Sequence, residues 1–132
     1  MKIEINKLTS ERIETRFLKK VAERVLKILP RALREIEELS IVIVGNKQMR
    51  TLNRKYLGRN RVTDVLAFDY GEIFICLPQA KRQAKELGHS IKEELKTLLI
   101  HGILHLAGYN DETKESRPKM LKKQEEICQR AI

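Results

Sequence analysis

The residues of this chain best placed to do chemistry lie between His101 and Asp111, a segment reading HGILHLAGYND that holds two of its three histidines. Four residues separate the two. On an α-helix each residue advances about 100°, so this spacing overshoots one turn by only about 40°, and both imidazoles project from one face where they can share an ion. Gly108 follows His105 by three residues, where a left-handed helix ending is cheap. Asp111 comes three later, after the chain has had room to double back. The pattern predicts a metal site of His101, His105 and Asp111, the carboxylate closing from the turn beyond the helix. A lone histidine on an apolar helix is usually a core or surface residue; two at this spacing, followed by the glycine and the acid, point to ligands. Three protein ligands leave a position for water or a substrate oxygen, the mark of a catalytic rather than a structural site.

This is the ligand spacing of zinc hydrolases with the pattern HExxHxxGxxH, with Asp111 in the last ligand place. Gly102, however, stands where those peptidases carry their glutamate general base, so peptide hydrolysis by their route lacks its base. Neutral imidazoles rank zinc first. Two histidines and a carboxylate also suit iron, and nickel remains possible. The third histidine, His89, between Gly88 and Ser90, is expected to be a solvent-facing turn residue rather than a fourth ligand.

A helix must carry these ligands. Ser90 with Glu93 forms a capping-box pattern, so the metal helix should start at Ile91. Its apolar positions Leu95, Leu98, Leu99, Leu104 and Leu106 wrap most of its circumference, which predicts a central, largely buried helix. Upstream, the alternation over residues 2 to 8 suits a half-buried strand. Ile13, Phe17, Leu18, Val21, Val25 and Ile28 then recur at helical spacing until Pro30. The β-branched run from Ser40 to Val44 reads as a buried strand ending at Gly45. Asn46 is a candidate cap for a helix with a stripe of Met49, Leu52 and Tyr56 that stops at Gly58. RNRVTDVLAFDY and GEIFICLP form a candidate hairpin turning at Tyr70 and Gly71. Pro78 opens a basic helix ended by Gly88, and a lysine-rich last helix, beginning near Pro118, is amphipathic through Met120, Leu121 and Ile127. No internal repeat, low-complexity tract or linker interrupts this order.

The 132 residues and 42% hydrophobic content suit one domain, 1–132, with a single core. No apolar run is long enough to span a bilayer, and MKIEINKL lacks the features of a secretion signal, so a cytoplasmic protein is expected. Cys76 and Cys128 show no paired spacing and read as packing residues. The formal charge of +9 creates a field that attracts polyanions.

On these residues the chain resembles the YbeY family of bacterial rRNA maturation endoribonucleases. In that family a segment like HGxLHLxGYDH binds zinc, and HGILHLAGYND is similar to it across Gly102, Leu104, Leu106, Gly108 and Tyr109. A second family pattern near LNxxYRGxDxPTDVLSF is matched by LNRKYLGRNRVTDVLAF from Leu52 to Phe68, and Gly71 to Ile73 read GEI where the family usually has GDI. The resemblance implies an α+β fold: a small mixed sheet of about four strands surrounded by helices, with the metal helix central. It also implies metal-dependent cleavage of single-stranded RNA in 16S rRNA processing and ribosome quality control, with the ribosome or its small subunit as partner. The alignment places Asp111 at the family's final histidine, Asn110 at its preceding acid, and Leu57 at the arginine used beside the metal. Arg59, two residues on, is the candidate for that arginine's role, a plain surface arginine being the other reading.

Arg50, Arg54, Lys55, Arg59 and Arg61 form the candidate RNA-binding cluster, with Lys81, Arg82 and Lys85 as a second basic face; solvated helix surface is the alternative for each. With only three Phe, three Tyr and no Trp, recognition is expected to rest on backbone charge rather than extensive base stacking. Tyr109 could stack one base or serve the core. Thr63 and Asp64 either line the cleft or fix the loop into the strand. Two other function classes stay open: a non-catalytic RNA-binding or ribosome assembly factor with a structural metal, and a metal hydrolase of a small substrate.

Overall fold

The computed structural model describes residues 1–31, 33–58 and 62–131. Arg59 and Arg61 lie outside them. Four strands, β1 (Lys2–Lys7), β2 (Glu38–Val44), β3 (Val65–Phe68) and β4 (Glu72–Cys76), form one sheet in the order β1-β2-β4-β3. Both β1 and β4 run parallel to β2, while β3 runs antiparallel to β4 at the edge. Among the described residues five helices complete the α+β fold: α1 (Thr15–Ile28), α2 (Asn46–Leu57), α3 (Leu77–Leu87), α4 (Ile91–Leu106) and α5 (Ser116–Arg130).

The β-branched run of β2 builds two cores because successive strand side chains point to opposite faces. Ile41 and Ile43, with Ile73 and Ile75 of β4, face Leu18, Val21 and Val25 of α1 and Leu95, Leu99 and Ile103 of α4. Val42 and Val44 face the other way, toward Met49 and Leu52 of α2, together with Leu66, Phe68 and Phe74. The sheet thus separates α4 from α2. As the sequence predicts, α4 is central: Leu95, Leu98, Leu99, Ile100, Ile103 and Leu104 are all buried. Gly102 lies on the face turned to the sheet, where an added Cβ would meet Ile73 Cγ2 at 2.9 Å.

The hairpin turns where expected. Gly71 N–H donates to the Phe68 carbonyl at 2.9 Å, and its positive φ of 116° leaves no room for a side chain against the Glu38 carbonyl. Several local expectations shift. Gly45 rather than Asn46 caps α2, its N–H donating to Gln48 Oε1 at 2.7 Å; Asn46 Oδ1 instead accepts from the Cys76 thiol at 3.3 Å. Ser90 Oγ caps α4 by accepting the Glu93 N–H, but the Glu93 carboxylate pairs with Lys96 instead of serving the box. The last helix starts at Ser116, two residues before Pro118, whose missing N–H costs nothing in a first turn. Leu121 and Tyr56 prove exposed, so the buried stripe of α5 rests on Met120 and Ile127, and that of α2 on Met49 with half-buried Leu52.

Candidate metal centre

The last two turns of α4 and the segment after it create the site. Helix α4 closes with the Tyr109 N–H donating to the Leu104 carbonyl at 3.0 Å, and Gly108 takes a φ of 98°, a conformation that favours glycine. This reversal returns the chain toward the histidines. Asn110 Oδ1 then accepts from the Glu112 N–H at 3.2 Å and from Ser116 Oγ at 2.7 Å, and Arg117 Nε donates to the Asp111 carbonyl at 3.2 Å. The loop is therefore tied at three points around Asp111.

The structure brings together the residues the spacing predicts: one ligand atom each from His101, His105 and Asp111 lie within 4.8 Å of one another. His105 Nε2 is 3.1 Å from His101 Nε2, which is 3.8 Å from Asp111 Oδ2. Around a tetrahedral zinc with bonds of about 2.0–2.2 Å, neighbouring ligand atoms sit roughly 3.3–3.6 Å apart, so the histidine pair stands near that spacing and the carboxylate somewhat farther out. The donor chemistry fits as well. His101 Nδ1 donates to Gln124 Oε1 of α5 at 2.6 Å, which leaves the lone pair on Nε2, facing His105. Two facing imidazole nitrogens need a proton or a cation between them. Burial, reinforced by the neighbouring His101, holds the His105 imidazole below its ordinary pKa, while Asp111 and Glu112 pull the other way. A neutral ring is the ligating form.

Gln124 escaped sequence reasoning. A glutamine in a lysine-rich helix carries no motif, and only the antiparallel packing of α5 on α4 brings it to His101; the i, i+4 relation of Gln124 to buried Met120 was the one available hint.

Gly102 shows why the peptidase glutamate has no place here: the position abuts Ile73 and Val65 of the sheet rather than the ligand side of α4. His89 is more than a turn residue. Its Nε2 meets Glu94 Oε1 at 2.6 Å, and Gln83 Nε2 donates to Glu94 Oε2 at 2.7 Å, so the buried carboxylate ties α3 to α4. It is not a fourth ligand, since the metal group comprises the other three residues. Thr63 and Asp64 fix the loop: Thr63 Oγ1 accepts from Asn53 Nδ2, Asp64 Oδ1 from the Val65 N–H, and the Asp64 carbonyl from the Cys76 N–H.

Arg50, Arg54 and Lys55 are exposed on α2, across the sheet from α4. The second basic face is locally engaged: Lys81 pairs with Glu11, and Arg82 donates to Gln79 Oε1 at 2.6 Å. Cys76 is buried and Cys128 half-buried, both unpaired thiols, and burial pushes both up from the ordinary thiol range. No helix among the described residues is long and apolar enough to cross a membrane.

Fold and site together define a small basic α+β protein built around a two-histidine, one-carboxylate group able to hold a metal ion. Residues 3–131 match the family model described as Endoribonuclease YbeY. Proteins named Endoribonuclease YbeY from Sulfurihydrogenibium and from Geobacillus thermodenitrificans are 39% and 38% identical, the matches covering 91% and 96% of this chain and 85% and 91% of theirs. The one from Aquifex aeolicus is 40% identical over 80% of this chain and 75% of its own. The solution structure of a Thermotoga maritima protein, 29% identical, superimposes with a TM-score of 0.70 over 98% of this chain and 88% of its own. The chain belongs to the YbeY family.

Proposed function

We propose that this chain is a metal-dependent endoribonuclease, a single domain spanning 1–132, that cleaves single-stranded RNA in the cytoplasm during 16S rRNA processing and ribosome quality control. The carrying observation is the convergence of His101, His105 and Asp111 within 4.8 Å in a chain whose relatives are named endoribonucleases. Zinc is the ion this donor set favours, with nickel or iron as substitutes. When bound, it supplies a Lewis acid for a phosphoryl oxygen and acidifies water at the open position.

The chain's own residues prepare the site for that ion. Gln124 sets the His101 tautomer, and the Asp111 carboxylate contributes a negative charge that offsets part of the cation's. Because that offset makes a water less acidic than three neutral imidazoles would, activity should favour alkaline over neutral pH. Arg117, whose Nε holds the Asp111 carbonyl, puts a guanidinium next to the loop where an anionic substrate would arrive. Arg59 is the proposed partner for the scissile phosphate, and Arg50, Arg54, Lys55, Arg59 and Arg61 the proposed RNA contacts.

Incubation of zinc-loaded protein with single-stranded RNA tests the reading, with His105→Ala and Asp111→Ala as controls. Cleavage lost in both variants supports it; cleavage unchanged in both assigns the activity elsewhere. A cyclic phosphate end would identify the ribose 2′-hydroxyl as nucleophile. The second reading, an RNA-binding or assembly factor whose ion pins α4 to its trailing loop, draws on Leu57, an exposed apolar residue at the position aligned with the family arginine. RNA binding that survives both ligand substitutions, without cleavage by the metal-loaded protein, would favour it.

A further inference from the structure

The sheet face opposite the metal helix carries an aromatic cluster that runs from the second core out to solvent. Tyr56 at the end of α2, Phe68 of β3, Tyr70 of the turn and Phe74 of β4 gather two of the three phenylalanines and two of the three tyrosines. Phe68 is the hub. Tyr56 and Phe74 meet it edge-on with centroids at 5.1 and 5.9 Å, while Tyr70 lies nearly parallel to it, at 5.9 Å and 22°. Tyr70 is 66% exposed and Tyr56 51%. The Tyr70 hydroxyl donates to Glu72 Oε1 at 2.7 Å, so the ring is held at its tip and on one face, leaving its other face to solvent.

An exposed ring held in place offers a stacking surface whose ordering cost is already met. Cations flank it on the α2 side. Arg50, Arg54 and Lys55 are exposed on the same helix as Tyr56, and Lys55 Nζ lies 5.2 Å from the Tyr56 centroid. On the other side stands Glu72, the acceptor of the Tyr70 hydroxyl, whose carboxylate repels phosphate. The α2 cations offer contacts to a strand's backbone, and the exposed Tyr70 ring offers one to its bases. Rings beside cations are the means by which proteins hold unpaired nucleotides, whereas duplex bases keep their faces covered by one another.

We propose that Tyr70, Phe68 and Tyr56, with Arg50, Arg54 and Lys55, form a base-stacking subsite for unpaired RNA, distinct from the metal centre. The proposal rests on the endoribonuclease reading and adds where the substrate strand is gripped. It also revises the expectation from composition that stacking plays little part: the aromatics are few but concentrated. Edge strand β3 connects the two regions, since Leu66 and Phe68 face the subsite while Val65 and Ala67 face α4. A strand crossing this edge would reach both.

Binding of the zinc-loaded full chain to labelled 2′-O-methyl oligoadenylate, which resists cleavage, is measured by fluorescence anisotropy. Tyr70→Ala should raise Kd on the order of tenfold, within the range of one lost base–aromatic stack, whereas Tyr70→Phe stays near wild type. An abasic oligomer of equal length should bind wild type and Tyr70→Ala alike. With no Trp in the chain, quenching of tyrosine emission by the oligomer gives a second measurement on the unaltered protein, and Tyr70→Phe should lose much of it. Equal Kd for wild type and Tyr70→Ala on oligoadenylate, or duplex RNA bound as tightly as single strands with the same loss in Tyr70→Ala, overturns the subsite. A wild-type protein that cleaves RNA while Tyr70→Ala binds normally refutes the subsite and spares the nuclease reading. Tyr70-dependent binding without cleavage by metal-loaded protein refutes the nuclease reading and spares the subsite.

Discussion

Gly102→Ala should destabilise this protein, although the same change in an exposed helix would stabilise it. Alanine gains about 1 kcal/mol over glycine in a helix interior. Here the new Cβ would lie 2.9 Å from Ile73 Cγ2, 3.3 Å from Ile73 Cδ1 and 3.4 Å from Val65 Cγ2. The closest contact is about 0.6 Å inside the onset of favourable carbon–carbon packing. Ile73 is fully buried and branched at Cβ, so its χ1 cannot swing the methyl away cheaply, and overpacking of this kind costs about 1–3 kcal/mol. The net is a loss of about 1 kcal/mol, read as a lower urea midpoint or a Tm drop of roughly 3–5 °C. The Ile73→Ala background isolates the cause. That truncation itself costs about 2–5 kcal/mol, but it removes both isoleucine contacts, so adding Gly102→Ala should then restore about 1 kcal/mol. Gly102→Ala stabilising in the wild-type background, or the same sign in both backgrounds, would refute the argument that close approach of α4 to the sheet selects glycine.

Gln124→Ala should weaken zinc binding about 10–100-fold by freeing the His101 tautomer, measured by competition with a chromophoric chelator, while leaving the fold intact. Zinc at about a hundred times its Kd should stabilise the wild-type chain by about 2.7 kcal/mol in a thermal-shift assay, and Asp111→Ala should lose most of that gain. Cys76 and Cys128, whose thiols burial pushes upward, should react slowly with iodoacetamide at mildly alkaline pH and quickly once the chain is unfolded, as followed by mass spectrometry. The hydrogen bond to Glu72 pushes the Tyr70 phenol up to about 12. Its folded value lies above the unfolded one of about 10, so its stabilising contribution is present below that pH and fades as pH rises through the folded value. An ultraviolet titration should show a phenol ionising near pH 12, and Tyr70→Phe should remove it.

The legible parts of this fold are those set by local periodicity. Strand β2 announced itself through four β-branched residues in succession, and α4 through apolar positions on every side, which fixed both its burial and the direction of its histidines. The convergence of His101, His105 and Asp111 was legible for the same reason, because they are near neighbours along the chain and the glycine between them marks the reversal. What the chain did not disclose depends on pairs distant in sequence. Gln124 and His101 are 23 residues apart, and the Tyr56–Phe68–Tyr70 cluster exists only because β3 pairs beside the strand that α2 covers. Composition counted those aromatics as few, since a count carries no position. The role of His89 was hidden similarly: its partner Glu94 reads as a solvated first-turn acid until α3 packs over it and buries the carboxylate.

With Asp111 as the proposed third ligand, ligation would depend on the loop as well as on the side chain. An aspartate carboxylate reaches less far from its Cα than an imidazole, so the backbone must come closer to the two histidines. The residues around it supply that approach. Gly108 permits the reversal, the Tyr109 N–H closes it on the Leu104 carbonyl, and Arg117 holds the carbonyl of Asp111 itself. Asn110 spends its oxygen on the Glu112 N–H and the Ser116 hydroxyl, a structural use that a neutral amide meets without adding charge beside Asp111 and Glu112. The carboxylate still lies 3.8 Å from His101 Nε2 against 3.1 Å between the two imidazoles, and it is the most exposed of the three groups, so it has the most freedom to adjust. Affinity for an ion held by this group would therefore be coupled to the order of the segment between α4 and α5 more strongly than a longer ligand would require.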